Sequence, residues 1–432
     1  MMNGIWRAII ALFASLMMLG PILGSTSAMV NGIDGATAMN EPASNFDFTD
    51  KRVVVLSGQS TLDSYVNRLT KSTSQVEYSS NLSSHDVTSS TILMMDRTWF
   101  YNTARTNITE NLEKIVLQGT PIINIGHHPL ELQSILNSNR LSHSFPEDAD
   151  VYGYYRNPVT GETISYAEIY EDKFDDKESM VIGQAYNWAV KRIEKMPVRE
   201  VTKTTSTELL NGLNAHVDVS TNEYIGRAIP SNSVSGGDWG AAQWCDITRY
   251  NTQGYVHIMN AHFKLIDSSS THDFWLSDFY VEERPKWSEG KYACADLDVK
   301  GQVSSPGQMI RHSPGTTSGT NTASVSLSFQ YTADGGAGLG VSTGWSYSLP
   351  DVVITDNSQT PESKFYWWHD LNENNQVGKS TFYAEPGMIT RVTQGDPLSI
   401  REGYGVNWCK QGLFGTWWDW DYKEYYHWSL YW

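Results

Sequence analysis

Four places in this 432-residue sequence bring potentially reactive side chains together. His127 and His128 are adjacent and follow the apolar run 121–126. That places them at the carboxyl end of an expected parallel strand, where open α/β sheets bind ligands. Two imidazoles there offer metal ligation or proton exchange. Adjacent loop positions point apart, however, and no carboxylate or Cys partner accompanies them, so any enzymatic role rests on this pair alone. The second place is the set Cys245, Cys294 and Cys409. An odd number leaves one thiol free or paired between chains, and the wide spacing excludes a dense disulfide framework. No CxxC or His/Cys spacing suggests zinc. Third, Asp370, Asn372 and Asn374 alternate oxygen donors as the opening of a calcium loop does. Asn375 stands where such a loop needs Gly and Thr381 where it needs Glu, so a polar turn is expected. Fourth, Ser57-Gly58-Gln59-Ser60 lacks the spacing of a phosphate-cradling loop. Neither a GxSxG elbow nor an HExxH pair occurs. The expectation is a protein without catalytic residues, metal or cofactor.

The chemistry the sequence does favour is partition between water and an apolar phase. Residues 323–349 form two alternating arms around Asp334-Gly335-Gly336-Ala337-Gly338. Val325, Leu327, Phe329 and Tyr331 share one face of the first arm; Leu339, Val341, Trp345 and Tyr347 share one face of the second, with Thr343 the exception. The other face carries Ser324, Ser326, Ser328, Gln330, Ser342 and Ser346. Pairing 325 with 347 and 333 with 339 puts both apolar faces on one side, as the period of two requires. Each arm has about 11 residues, the length a tilted strand needs to cross a hydrocarbon core. No charged residue lies between His312 and Asp334, or between Asp334 and Asp351. A hairpin of a water-soluble sandwich predicts the same alternation, but its wet face normally collects charge. An uncharged polar face suits a barrel lumen. One hairpin cannot span alone, because its edges would leave backbone groups unsatisfied in lipid. Several copies from a homo-oligomer could close a barrel, with lipid-facing Val325, Leu327, Phe329, Tyr331, Leu339, Val341, Trp345 and Tyr347.

Aromatic side chains form a second candidate contact surface. Trp417, Trp418, Trp420 and Trp428 crowd the C-terminal segment 414–432, and Trp367 and Trp368 follow the hairpin. Such rings favour membrane interfaces and stack on sugars. Equally, Trp418, Trp420 and Tyr422 alternate with Asp419 and Asp421, as in a terminal strand buried on one face.

These segments need elements to hold them. Residues 1–7 are basic and 8–20 apolar, with small residues at 26–28; about 13 apolar residues are too few for a membrane span and read as a secretory signal peptide over 1–28. Residues 29–50 are a polar leader. Apolar runs at 53–56, 91–95 and 121–125, with helical spacing at 62–69 and 109–119, predict an α/β domain over 51–200 with a small parallel sheet. A hairpin over 151–170 and a helix over 179–196 close it. Residues 201–225 are a linker or first β segments. From 226 to 432 short alternating segments predict an all-β domain, a β-sandwich bearing the long amphipathic hairpin. Thirteen of the 16 Trp lie at or after Trp239, so the aromatic wealth belongs to this half. The formal net charge of −17 argues against nucleic acid and against electrostatic attachment to anionic lipid.

An exported all-β segment with an uncharged alternating hairpin, a Gly-rich tip and Trp/Tyr-rich strands after it resembles the leukocidin/hemolysin class of β-barrel pore-forming toxins. The resemblance covers roughly residues 226–408. It implies a stem packed against a β-sandwich before assembly, rim aromatics that contact lipid headgroups, and secretion followed by insertion as an oligomer. It carries the stem role to Val325, Leu327, Phe329, Tyr331, Leu339, Val341, Trp345 and Tyr347, and assigns no rim residue. The region 51–200 and the aromatic tail lie outside it. A secreted glycan-binding or adhesion protein using the exposed Trp is the competing expectation. The expected partners are therefore a target lipid, receptor or glycan, and copies of the same chain.

Overall fold

The computed structural model describes residues 51–56, 76–79, 82, 87–96, 105–126, 129–171, 177–194, 239–266, 269–317, 321–332, 338–349 and 351–432. The signal peptide, the leader, the helical spacing at 62–69, His127 and His128, the linker and the hairpin tip lie outside them.

The first strands are short: β1 (Arg52–Leu56), β2 (Val76–Ser79), β3 (Thr91–Asp96) and β4 (Ile122–Ile125), of which β1, β3 and β4 are the apolar runs read from the sequence. β1 pairs in parallel with β2 and β3, and β3 in parallel with β4. Helix α1 (Arg105–Leu117) buries Leu112, Ile115 and Val116, while Leu117, also counted with the apolar set in the sequence, is exposed. Helix α2 (Leu130–Ser138) follows, then the two-residue β5 (His143–Ser144). β6 (Val151–Arg156) and β7 (Thr163–Tyr170) form the expected hairpin, turning where Asn157 N–H donates to Glu162 O. Helix α3 (Lys177–Glu194) lays Trp188 flat on Tyr166 with ring centroids 4.8 Å apart. Gly153 in β6 makes this possible, since a Cβ there would overlap the Trp188 ring.

The parallel strands are not a separate sheet. β4 pairs antiparallel with β6, and β7 pairs in parallel with β8 (Gln243–Tyr250) over eight residues. The sheet continues through β9 (Gly254–Lys264) and β10 (His272–Asp278), with β11 (Val281–Pro285) branching from β9. After the one-turn helix α4 (Trp287–Gly290) come β12 (Tyr292–Val303), β13 (Gln308–Ser313), β14 (Thr322–Thr332) and β15 (Gly338–Ser348). Then follow β16 (Val353–Asp356), β17 (Lys364–Asp370), β18 (Phe382–Ala384), β19 (Gly387–Thr393), β20 (Leu398–Gln411) and β21 (Trp417–Tyr431). The large sheet ends β10-β19-β13; a second sheet runs β16-β17-β12-β20-β21-β5.

The two sheets face each other across an aromatic layer. Phe279 stacks on Phe365 at 4.7 Å, and His262 stacks on Tyr431 at 3.9 Å. Trp275, Trp367 and Trp408 are fully buried. Fully burying one such side chain stabilises by about 1.5–3 kcal/mol, so this layer is what fastens sheet to sheet. Among the described residues no helix is long and apolar enough to cross a membrane.

Candidate functional site

Among the described residues β14 and β15 pair only with each other, as an antiparallel ribbon of 11 residues per arm. The register is Val325 opposite Trp345 and Thr332 opposite Gly338, two residues from the expected pairing of 325 with 347. A shift of two leaves every side chain on its own face, so the alternation could not detect it. Gly344 sits opposite Ser326, where a Cβ would press on Val325 O.

The ribbon lies on the body with its apolar face inward. Val325, Leu327, Phe329, Tyr331, Val341 and Tyr347 are buried, and Trp345 partly so. Leu339 pairs with Tyr331, and its side chain is outside the described residues. On the outer face Ser324, Ser326, Ser328, Gln330 and Ser346 are exposed and Ser342 half-buried. Phe274 of β10 receives Phe329 and Tyr331 at 4.9 and 5.3 Å. Trp345 fills the space above Gly387, which a Cβ would close, and its Nε1 donates to Glu385 O at 2.7 Å. Ser326 N–H donates to Ser313 Oγ at 3.1 Å, and Arg311 Nε to Ser328 O at 3.1 Å. Burying this face is worth on the order of 10 kcal/mol, taking about 2 kcal/mol for each large side chain. A release of the ribbon therefore needs another apolar surface to receive the same face.

Two buried polar groups interrupt that face. Thr343, the exception in the alternation, is buried with its hydroxyl unpartnered. Tyr347 donates its hydroxyl to His369 Nε2 at 3.2 Å, while His369 Nδ1 donates to Leu297 O at 3.1 Å. Burial pushes His369 down to about 4, with the Leu297 carbonyl opposing it in part. His369 is therefore a neutral acceptor beneath the ribbon at neutral pH.

The aromatic candidates divide. Trp367 is buried against Phe279 and donates its Nε1 to Pro314 O at 2.9 Å, so it is core and offers no contact surface. Trp368, its neighbour on β17, is half-buried, and so is Trp417. Trp418, Trp420 and Trp428 are about half exposed (49%, 52% and 56%), with Tyr422 beside them. The terminal strand is thus not buried through Trp418, Trp420 and Tyr422; its inward residues include His427, Ser429 and Tyr431.

The tip joining β20 to β21 is a feature that alternation and spacing do not single out. Leu413 is 83% exposed and Phe414 fully exposed, at the left-handed φ of 66°. Beside them lies a hollow of about 660 Å³ lined by Lys291, Gln411, Gly412, Leu413, Thr416 and Trp418. Lys291 is the cation in its lining, and Lys410 Nζ stands 5.4 Å from the Trp418 ring. The signal for it in the sequence is Gly412-Leu413-Phe414-Gly415, two large apolar residues between glycines in a turn.

The remaining candidates carry less. Asn372 and Asn374 N–H groups donate to Asp370 and Asn372 Oδ1 at 3.2 and 3.1 Å, forming successive polar turns. All three cysteines are buried free thiols.

No family model matches this sequence, and no curated protein matches it. Among solved structures, one described as a pore forming protein is 9% identical, with a TM-score of 0.29 over 45% of this chain and 95% of that one. The Clostridium perfringens NetB toxin in its membrane-inserted form is 8% identical, with a TM-score of 0.24 over 46% and 95%. The likeness is a distant one of fold, at scores too low to bear on what this chain does.

Proposed function

We propose that this chain is a secreted pore-forming protein without enzymatic activity, whose copies assemble on a target membrane and each contribute the β14–β15 ribbon to a transmembrane barrel. One observation carries the reading. Among the described residues a ribbon of membrane-spanning length joins neither large sheet by a backbone ladder, hides its apolar face, and shows water an uncharged polar face. In a barrel the hidden face meets lipid and the polar face lines the lumen, so both faces keep a suitable solvent. The exposed tip at Leu413 and Phe414, with Trp418 and Trp420 behind it, supports first attachment at the headgroup level.

Dye release from liposomes tests this, with electrophoresis for SDS-resistant oligomers. Val341→Lys is expected to abolish release, since a lipid-facing Lys costs about 2–4 kcal/mol per protomer at the bilayer midplane. Ser328→Lys, on the exposed face, is expected to retain it. Absence of release and of oligomers from every lipid mixture would refute the proposal.

The half-exposed rings of Trp418 and Trp420 favour a second reading, glycan binding without permeabilisation. Glycan-array binding that is lost in Trp418→Ala and Trp420→Ala, with no dye release from the parent protein, would select it.

A further inference from the structure

Between the two sheets lies a cluster that neither reading uses. Cys245 comes from β8 in the large sheet; Glu402 and His427 come from β20 and β21, where they are directly paired. All three are buried, and their donor atoms lie within 4.8 Å of one another. Cys245 Sγ is 3.5 Å from His427 Nε2, which is 3.7 Å from Glu402 Oε2. Zinc bonds of about 2.3 Å to sulfur and 2.0–2.1 Å to nitrogen, at tetrahedral angles, separate S and N by about 3.5 Å. These side chains thus already stand at ligand spacing.

A fourth group points the same way. His262 on β9 is fully buried, and its Nε2 has no hydrogen-bond partner while standing 3.4 Å from Glu402 Oε1. Its Nδ1 pairs with Ser277 Oγ at 2.9 Å, which leaves Nε2 facing the Glu402 carboxylate. The surroundings hold the donors in place. Tyr431 donates to Glu402 Oε1 at 2.9 Å, Asn260 Nδ2 donates to Oε2, and Ser144 Oγ donates to Cys245 Sγ at 3.2 Å.

We propose that Cys245, Glu402 and His427 bind a structural zinc ion that staples the two sheets together, and that His262, beside Glu402 but outside that group of three, turns in as the fourth ligand. The thiol proton leaves for solvent as the zinc–sulfur bond forms, so one thiolate and one carboxylate neutralise the divalent ion with two neutral imidazoles. The donor set of one sulfur, two nitrogens and one oxygen suits zinc better than calcium or magnesium, which take oxygen alone. The site is closed to solvent, so the ion enters during folding.

The test is to unfold the full chain in chelator and refold it with Co2+ or Zn2+. One equivalent of Co2+ is expected to give tetrahedral visible bands and a thiolate charge-transfer band, which Zn2+ removes. Zn2+ is expected to raise Tm and to shield Cys245, but not Cys294 or Cys409, from alkylation in mild denaturant. Cys409→Ala should keep the cobalt spectrum, and Cys245→Ser should lose the charge-transfer band. Wild-type protein that refolds with Co2+ yet shows no tetrahedral spectrum overturns the proposal. So does a charge-transfer band that survives in Cys245→Ser, or equal alkylation of Cys245 with and without Zn2+ should that variant not fold.

Discussion

His369 sits where the β14–β15 ribbon meets the second sheet, and its proton decides one contact between them. The folded state holds it at about 4, below its ordinary 6.5. Between those values the docked form binds fewer protons than a form in which the imidazole reaches water. The contribution is therefore complete above about pH 6.5 and declines as pH falls toward 4. A protonated Nε2 can no longer accept from Tyr347, and its charge would lie in a fully buried site. The limit of the effect is on the order of 3 kcal/mol, at about 1.36 kcal/mol for each tenfold change in proton affinity. Dye release at a fixed protein concentration is expected to quicken from pH 7 to pH 5, and His369→Gln is expected to flatten that part of the pH profile. An identical profile in the variant would remove His369 from the release step.

At the scale of the element, the ribbon differs from every other strand pair in how it is attached. Among the described residues, backbone ladders join the strands of the two large sheets, while the ribbon meets the body through side chains and a few polar contacts. Breaking it away thus costs apolar burial rather than a row of backbone hydrogen bonds. Its separation should be blocked by one covalent link. Ser313→Cys with Ser326→Cys places thiols on two residues held adjacent by the 3.1 Å bond from the Ser326 backbone N–H to Ser313 Oγ. The oxidised double variant is expected to fold and bind membranes but release no dye, and a reductant is expected to restore release. Release without reductant would show that the ribbon need not leave β13. Much of this element is legible in the sequence, because alternation fixes which side chains share a face. The register is not, since a slide of two residues preserves every face. Packing chooses between the registers, through the place for Trp345 over Gly387 and the close backbone at Gly344.

For the molecule as a whole, a formal charge of −17 leaves little electrostatic pull toward anionic lipid, so attachment falls to uncharged surface. Leu413 and Phe414 are the most exposed large apolar side chains among the described residues, and they sit together at one tip. Leu413→Ser with Phe414→Ser is expected to leave Tm unchanged, because neither side chain packs on the body. Losing two interfacial side chains should weaken vesicle binding by at least about tenfold, read by flotation, since each buried apolar side chain is worth about 1.5–3 kcal/mol. Unchanged flotation would move attachment elsewhere, to Trp428 first. The same scale shows what the chain order conceals. The run of parallel strands and the later antiparallel ones read as separate bodies, yet the parallel pairing of β7 with β8 joins them in one sheet.

The sequence by itself determined period, length and charge: two 11-residue arms, an uncharged polar face, and a Trp-rich second half. These are local properties, written in the order of side chains along one strand. The tertiary structure alone decided which surfaces meet. It buried Trp367 and exposed Trp418, turned the ribbon's apolar face inward, and gathered Cys245, Glu402 and His427 from three strands into one point, with His262 of a fourth strand beside Glu402. Spacing along the chain carries no trace of such a cluster, because its members are neighbours only after two sheets have packed face to face.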